Sequence, residues 1–230
     1  MNINKVMKNS DIKAYEKYAK IIAAIPNSQH GQAQDAILKW CGIMNVIDTL
    51  ELKPTRILDI GSGLSHLVVA IDNMLGGTVK EAICVDLEHD GCDTVLTNGK
   101  CNFIKGDFFQ IEKLLQTGNF DLIVDSCAVT HFDKRSNYAK NDGCYRVGQI
   151  SRRLLNQSGT LICTSDVLDS DNDEATGEFI SPKAMIESYE ASGLKLIGDY
   201  NGDRSDQYLV TPHGWNWSLA IAQFAFRSNP

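Results

Sequence analysis

The sequence predicts an α/β protein whose doubly wound, mostly parallel sheet carries helices on both faces. From Pro54 onwards, short runs rich in β-branched residues alternate with helical patterns, which is typical of parallel βαβ units. The chain has 230 residues, of which 43% are hydrophobic, so it is long enough to bury one full core. We therefore expect one ordered domain, residues 54–230, with an N-terminal addition over residues 1–53.

Helical spacing of apolar residues characterises the N-terminal addition. One helical pattern runs from Asp11 to Ile25 and is closed by Pro26, and a second runs from about Gln32 to Leu50. We expect these helices either to cap the functional site or only to pack on the sheet.

Seven candidate strands follow the addition. They are Arg56 to Ile60, Glu81 to Asp86, Asn102 to Lys105, Phe120 to Ser126, Thr160 to Ser165, Leu194 to Tyr200 and Leu219 to Arg227. The turn at 156–159 should precede the fifth strand, and a helix is predicted from Ser181 to Ser192, with Pro182 at its first position. A long loop, residues 201–217, separates the last two strands.

Charge and cysteine content restrict the class of function. The net charge of -7 argues against a nucleic-acid partner, because such binding depends on Lys and Arg neutralising phosphates. Seven cysteines without a Cys-x-x-Cys pair are typical of reduced thiols, so we expect a cytoplasmic protein. No apolar run is long enough to cross a bilayer, and the N-terminus lacks a signal-peptide pattern, so we expect no membrane partner.

The first candidate strand ends in a glycine-rich turn, Asp59-Ile60-Gly61-Ser62-Gly63. Such a turn at the start of a helix offers backbone N–H groups and a close-approach surface to a ligand. A dinucleotide-binding loop would have a third glycine where this chain has His66. The acidic Asp59 ahead of the glycines suits a ligand that carries an ammonium group, although it could instead only cap the turn.

The whole pattern from Pro54 onwards resembles a class I, Rossmann-like S-adenosylmethionine-dependent methyltransferase. The segment from Leu58 to Ser65 matches the first motif of that family, except that Ser65 replaces its last glycine. The resemblance implies a C-terminal antiparallel hairpin and S-adenosyl-L-methionine as cofactor. It also implies that Asp59, Gly61, Ser62 and Gly63 contact the methionine end.

Further family motifs imply contacts to the adenosine. Asp86 and Leu87 follow the second strand, where the family's acidic residue binds the ribose hydroxyls, consistent with sugar sites beyond strand ends in α/β folds. Asp107 and Phe108 match the adenine-side motif, although Asp107 could equally cap a helix and Phe108 could simply belong to the core. The fourth-strand motif implies cofactor contacts from Asp125 and Ser126.

His131 lies in the loop that, by the resemblance, borders the transferred methyl group. An imidazole titrates near neutral pH and therefore suits a general base that removes the proton of an alcohol acceptor. A histidine here could instead only shape the pocket. His131 is the predicted catalytic residue.

A metal is not expected. The acidic run Asp169-x-Asp171-x-Asp173 resembles a calcium loop but has Glu174 at the required glycine and Ile180 at the final glutamate. A divalent ion between Asp125 and Asp166 is the remaining alternative.

We expect methyl transfer to a small polar acceptor, with an oxygen such as that of a sugar-like metabolite favoured. The alternatives are N-methylation of a small amine, a non-catalytic cofactor-binding subunit and, least favoured, a nicotinamide-dependent reductase. Aromatic residues at positions 208, 215 and 217 suit either a polar ring or a homodimer contact.

Overall fold

The computed structural model describes residues 2–26, 34–64, 66–88, 98–131, 142–169, 179–210 and 218–228. The helices are α1 (Asp11–Ala23), α2 (Gln34–Thr49), α3 (His66–Met74), α4 (Phe108–Ile111), α5 (Asp142–Leu154) and α6 (Pro182–Ala191). The strands are β1 (Asn4–Val6), β2 (Arg56–Ile60), β3 (Glu81–Asp86), β4 (Cys101–Lys105), β5 (Phe120–Ser126), β6 (Leu155–Val167), β7 (Leu194–Leu196), β8 (Tyr200–Asn201), β9 (Leu209–Val210) and β10 (Leu219–Ser228).

One mixed sheet organises the described chain, in the order β4-β3-β2-β5-β6-β10-β1-β8. The strands from β2 to β6 pair in parallel, and β10 runs antiparallel to β6. The β7 strand pairs antiparallel with the end of β10, as in the expected C-terminal hairpin. The predicted α/β fold class is therefore confirmed.

Alternate residues of the central strands point to opposite faces of the sheet. Ile57 belongs to the cluster that α1, α2 and α3 cover, whereas its neighbour Leu58 belongs to the cluster that α4, α5 and α6 cover. Because side chains alternate along a strand, a sheet with helices on both faces needs apolar residues at consecutive positions. This requirement explains the continuous apolar runs in the sequence.

The N-terminal segment adds a strand to the sheet, which the sequence analysis did not predict. Strand β1 pairs antiparallel with the middle of β10. The fully buried Asn4 donates to the carbonyl of Ile197 (2.6 Å) and accepts from the amide of Ala225 (2.9 Å). Gln223, also fully buried, accepts from the hydroxyl of Tyr15 on α1 (2.9 Å). The segment is thus part of the core, and its helices complete one helical layer.

The last part of the sheet differs from the prediction in two further places. The single strand expected from Leu194 to Tyr200 is divided into β7 and β8, and β8 pairs with β1 rather than with β10. The expected turn at 156–159 lies within β6, which begins at Leu155 and has a register shift against β5. Across the described ranges, no helix is long and apolar enough to cross a membrane.

Candidate functional site

Two adjoining clefts lie at the carboxyl ends of the parallel strands. The wide cleft, of about 500 Å³, runs from the ends of β2 and β3 past Asp107 to His131. The narrow cleft, of about 240 Å³, lies between the loop after β2 and helix α2. Both clefts are lined by Gly61, Asp86, Ser126 and Cys127, so together they form one continuous site. Ligands of open α/β sheets bind at this edge.

The structure brings ten of the eleven predicted site residues to these clefts. Those that line the wide cleft are Gly61, Asp86, Leu87, Asp107, Phe108, Ser126 and His131. Those that line the narrow cleft are Asp59, Gly61, Ser62, Gly63, Asp86 and Ser126. The remaining residue, Asp125, lines neither.

The glycine-rich turn is held by the neighbouring strand. The amides of Gly61 and Ser62 donate to the carbonyl of Val85 (2.8 and 3.1 Å), and the amide of Gly63 donates to the Asp86 carboxylate (2.9 Å). Gly61 has a φ of +66°, and a Cβ there would overlap the side chain of Ala128. In this structure these amides hydrogen-bond within the protein, and the contacts of Gly61, Ser62 and Gly63 with the cofactor stay predictions. These hydrogen bonds fix the turn, and its glycine allows the close approach of the 127–128 loop.

Asp86 is fixed at the junction of the two clefts. One carboxylate oxygen accepts from the Gly63 amide, and the other accepts from the amide of Glu88 (2.9 Å). A carboxylate has about four lone-pair sites, so one oxygen can accept more than one hydrogen bond.

Asp107 and Phe108 each combine the two roles that the sequence left open, a structural role and a place on the cleft wall. The Asp107 carboxylate caps α4 by accepting from the amide of Phe109 (2.9 Å), and it also lines the wide cleft. Phe108 is 4% exposed and packs in the core, yet it also contributes to the cleft wall. Leu87 is 46% exposed and offers an apolar surface beside Asp86.

Asp59 is the least satisfied acidic group in the narrow cleft. It is 1% exposed, and its Oδ2 has no hydrogen-bond partner among the residues described. Burial raises the pKa of this carboxyl well above its usual range, and Cys101, Asp125 and Asp86 raise it further. A buried carboxylate oxygen without a hydrogen-bond partner is costly, and a cation would relieve that cost.

Asp125 lies beneath the site. Its Oδ1 accepts from the amides of Ala128 (2.8 Å) and Val129 (3.3 Å), which caps the helical turn over 129–131. Burial raises the pKa of Asp125 to about 7, although these two hydrogen bonds oppose the rise. Its predicted contact with the cofactor stays a prediction.

His131 lies on this capped turn, at the edge of the wide cleft. Its ring packs edge-on against Phe179, with 6.4 Å between centroids, and its Nε2 lies 3.9 Å from the Cys127 thiol. Cys127 itself has a left-handed φ of +66°, an uncommon conformation for a residue with a side chain. Burial raises the pKa of its thiol to about 11, so Cys127 is not a thiolate nucleophile near neutral pH.

A buried charge that no sequence motif indicated lies on the wall of the narrow cleft. Lys39 of α2 is 4% exposed and forms ion pairs with Asp166 (2.8 Å) and Asp35 (3.2 Å). Asp166 in turn accepts from the Cys127 thiol (3.2 Å). The available signal was a lysine on the apolar stripe of a helix, four residues before the fully buried Ile43.

Some of the predicted features lie outside the described residues. They are Ser65, most of the acidic run after Asp169, and the aromatic positions 215 and 217. Within the described ranges, no group of three or more His, Cys, Asp or Glu residues could hold a metal ion.

Comparison with known proteins identifies the family. Residues 51–192 match the model of the family described as Methyltransferase domain. No curated protein sequence matches the chain.

Several solved structures share the fold at low sequence identity. A Burkholderia thailandensis 1,6-didemethyltoxoflavin-N1-methyltransferase is 12% identical, with a TM-score of 0.57 over 97% of this chain and 92% of that one. A Leishmania major SAM-dependent methyltransferase is 14% identical, with a TM-score of 0.56 over 93% and 82%. An arsenic(III) S-adenosylmethionine methyltransferase from Chlamydomonas reinhardtii is 14% identical, with a TM-score of 0.52 over 77% and 66%.

The family model covers more than half of the chain, and the sheet order and the position of the clefts agree with the motif order of the sequence. The chain therefore belongs to the methyltransferase domain family, as a class I enzyme that uses S-adenosyl-L-methionine.

Proposed function

We propose that this enzyme transfers the methyl group of S-adenosylmethionine to an oxygen of a small polar acceptor in the cytoplasm. The observation that carries the proposal is the continuous site around Asp86, with the unpartnered Asp59 oxygen at one end and His131 at the other. When bound, the cofactor supplies an electrophilic methyl group on a sulfonium.

The residues along the clefts fit the parts of that cofactor in order. Asp59 would bind the ammonium group, because its buried oxygen lacks a partner. Asp86, at the junction of the two clefts, would accept from the two ribose hydroxyls. Leu87 and Phe108 would contact the adenine, with Asp107 at its edge. The floor of the site between Asp59 and Asp86 would be formed by Gly61, Ser62, Gly63 and Ser126.

The N-terminal addition would cap the methionine end of the site. Ala36, Lys39 and Trp40 of α2 form the wall of the narrow cleft opposite the glycine-rich turn. Exclusion of water from this end strengthens charged interactions there, because the local dielectric constant falls.

His131 would remove the acceptor's proton. It borders the wide cleft, and its ring orientation is supported by the edge contact with Phe179. An alcohol is a poor nucleophile unless a base accepts its proton, so a histidine at this place favours an oxygen acceptor.

The acceptor is proposed to be small. Much of the wide cleft would hold the adenosine, which leaves a limited volume beside His131, and the net charge of -7 disfavours nucleic acid. The proteins of similar fold named above act, by their descriptions, on a toxoflavin precursor and on arsenic(III). The fold is thus compatible with different acceptor atoms, and N-methylation of a small amine is the second candidate.

Two measurements test the proposal. Calorimetric titration with S-adenosylhomocysteine should give a saturable 1:1 isotherm. Transfer of an isotope-labelled methyl group should then be followed over a panel of small sugars, alcohols and amines. Absence of S-adenosylhomocysteine binding would overturn the cofactor assignment, and labelling of amines but not alcohols would replace the oxygen acceptor by nitrogen.

A further inference from the structure

A buried ammonium faces the narrow cleft opposite a buried carboxylate. Lys39 and Asp59 line the same cleft, one from α2 and the other from β2. Lys39 is 4% exposed and Asp59 is 1% exposed, so little water screens either group. The cleft therefore holds one buried positive group and one buried negative group, with the half-buried Asp86 at its junction with the wide cleft.

Lys39 remains charged in this position. Burial, the largest influence, acts to lower the pKa of Lys39, but its interactions with the carboxylates of Asp166 and Asp35 help to raise that pKa above its ordinary value. The ammonium has three N–H donors, and two of them are used by Asp166 and Asp35. Within the described chain, one donor of Lys39 is left for a ligand.

We propose that the narrow cleft is a binding site for an α-amino acid zwitterion, in which Lys39 binds the α-carboxylate of the cofactor. This inference rests on the proposed binding of the cofactor's ammonium by Asp59, and it adds a residue that no motif of the sequence indicated. An α-amino acid carries a carboxylate and an ammonium on the same carbon. The carboxylate would pair with the buried Lys39, and the ammonium would pair with the buried Asp59.

Asp35 is the partner that the incoming carboxylate would replace. Its contact with Lys39 is longer than that of Asp166, 3.2 against 2.8 Å, and its side chain is more exposed, 22% against 14%. Asp35 lies in the first turn of α2, so it can turn to water without disturbing the core. Asp166 and its bond from Cys127 would keep Lys39 in place.

The same zwitterion chemistry is present in a free amino acid acceptor, and a cleft that serves such an acceptor would not make cofactor affinity depend on the cofactor's carboxylate. Binding of S-adenosylmethionine, decarboxylated S-adenosylmethionine and methylthioadenosine is measured by calorimetry. The first two ligands differ only in the carboxylate, and the third lacks the amino acid part.

The native protein should bind S-adenosylmethionine about 10-fold to 100-fold more tightly than its decarboxylated form, the range for a hydrogen bond to a charged group. In Lys39→Met this ratio should fall to near one, while the affinity for methylthioadenosine is unchanged. The ratio isolates the interaction between Lys39 and the carboxylate, as in a double-mutant cycle.

Lys17→Met is the matched control. Lys17 forms its ion pair with Asp48 on the surface of α1, 61% exposed, so its replacement should leave all three affinities unchanged. If Lys39→Met does not fold, Lys39→Met/Asp166→Asn removes the buried charge that the single variant would leave unpaired.

Equal affinity of the native protein for the two sulfonium ligands would overturn the inference and leave the cofactor assignment intact. An unchanged ratio of the two affinities in a folded Lys39→Met variant would also overturn the inference. Failure of all three ligands to bind the native protein would instead overturn the proposed function itself.

Discussion

The two clefts are built differently, although they share Asp86 and Gly61. In the wide cleft, the carboxylates of Asp86 and Asp107 already accept hydrogen bonds from backbone amides. In the narrow cleft, a buried oxygen of Asp59 has no partner among the residues described. The wide cleft is thus a preformed shape, whereas the narrow cleft is electrostatically incomplete.

This difference separates two contributions to ligand binding. Groups that are fixed by the fold lose little conformational freedom when a ligand arrives, which favours affinity. A buried polar group without a partner costs about 1–3 kcal/mol, and a ligand that satisfies it recovers that cost. We therefore expect substitutions in the wide cleft to act through lost contacts, and substitutions in the narrow cleft to act through charge.

The largest expected effect is on turnover, at the acceptor end of the wide cleft. His131→Ala should lower kcat by about 100-fold to 10,000-fold with little change in cofactor affinity, since proton removal contributes on that scale. Steady-state kinetics and a titration with S-adenosylhomocysteine measure the two quantities. A His131→Asn variant that keeps most of the rate would end the assignment of His131 as base.

Asp59→Asn should affect binding and stability in opposite directions. Loss of a buried charge opposite the ligand's ammonium should weaken S-adenosylhomocysteine binding by about 2–5 kcal/mol. The ligand-free variant should unfold at a higher temperature, because a costly buried carboxyl has been removed. Calorimetric titration and thermal unfolding give both values, and a variant that loses stability would contradict the incomplete-cleft interpretation.

The pH dependence of binding should follow from the raised pKa of Asp59. An ammonium ligand favours the ionised carboxylate, so affinity should increase as pH rises through that raised pKa, with release of a proton on binding. In the ligand-free protein the sign is opposite, because a raised carboxyl pKa lowers stability as pH rises above its unfolded value. Titrations in buffers of different ionisation enthalpy measure the proton release, which should be absent in Asp59→Asn.

Asp86→Ala should have a smaller effect on affinity, about 1.5–3 kcal/mol, the scale of hydrogen bonds to a charged group. The loss should be similar for S-adenosylhomocysteine and methylthioadenosine, since both contain the ribose. An unchanged affinity in a calorimetric titration would remove Asp86 from the site.

The smallest expected effect is that of metal removal. Methyl transfer should continue in EDTA, because the proposed contacts and the proposed proton transfer are supplied by side chains. Activity that is lost on chelation and restored by magnesium would contradict this expectation and would draw attention to Asp125 and Asp166.

The central sheet could be predicted closely because its strands are long and doubly buried. The observed bounds of β2, β3 and β5 equal the predicted ones, since continuous apolar runs between turns leave little choice of boundary. The short strands β1 and β8, at the edge of the sheet opposite β4, could not be predicted. Strand β1 has three residues, and its polar Asn4 is buried only because distant backbone groups satisfy it.

The same distinction applies to the site. The motif order predicts that residues at strand ends, such as Asp59 and Asp86, belong to the site, because the topology alone brings those strand ends together. Lys39 comes from a helix that crosses the sheet from outside the motif region, and its role depends on a tertiary contact with Asp166. A helical pattern cannot indicate which strand end a side chain will meet.

The insertion of β1 beside β10 has a consequence for the order of folding. The Gln223 side chain donates to the carbonyl of Ile3, 220 residues away in sequence, so this edge of the sheet cannot form until the last strand exists. Contacts between such distant segments form slowly, because a long loop must be closed first. Helix α2 follows β1 and forms a wall of the narrow cleft. Because α2 packs against β6 and β10, the narrow cleft would acquire this wall only after those strands are synthesised, well after β3 has fixed the glycine-rich turn.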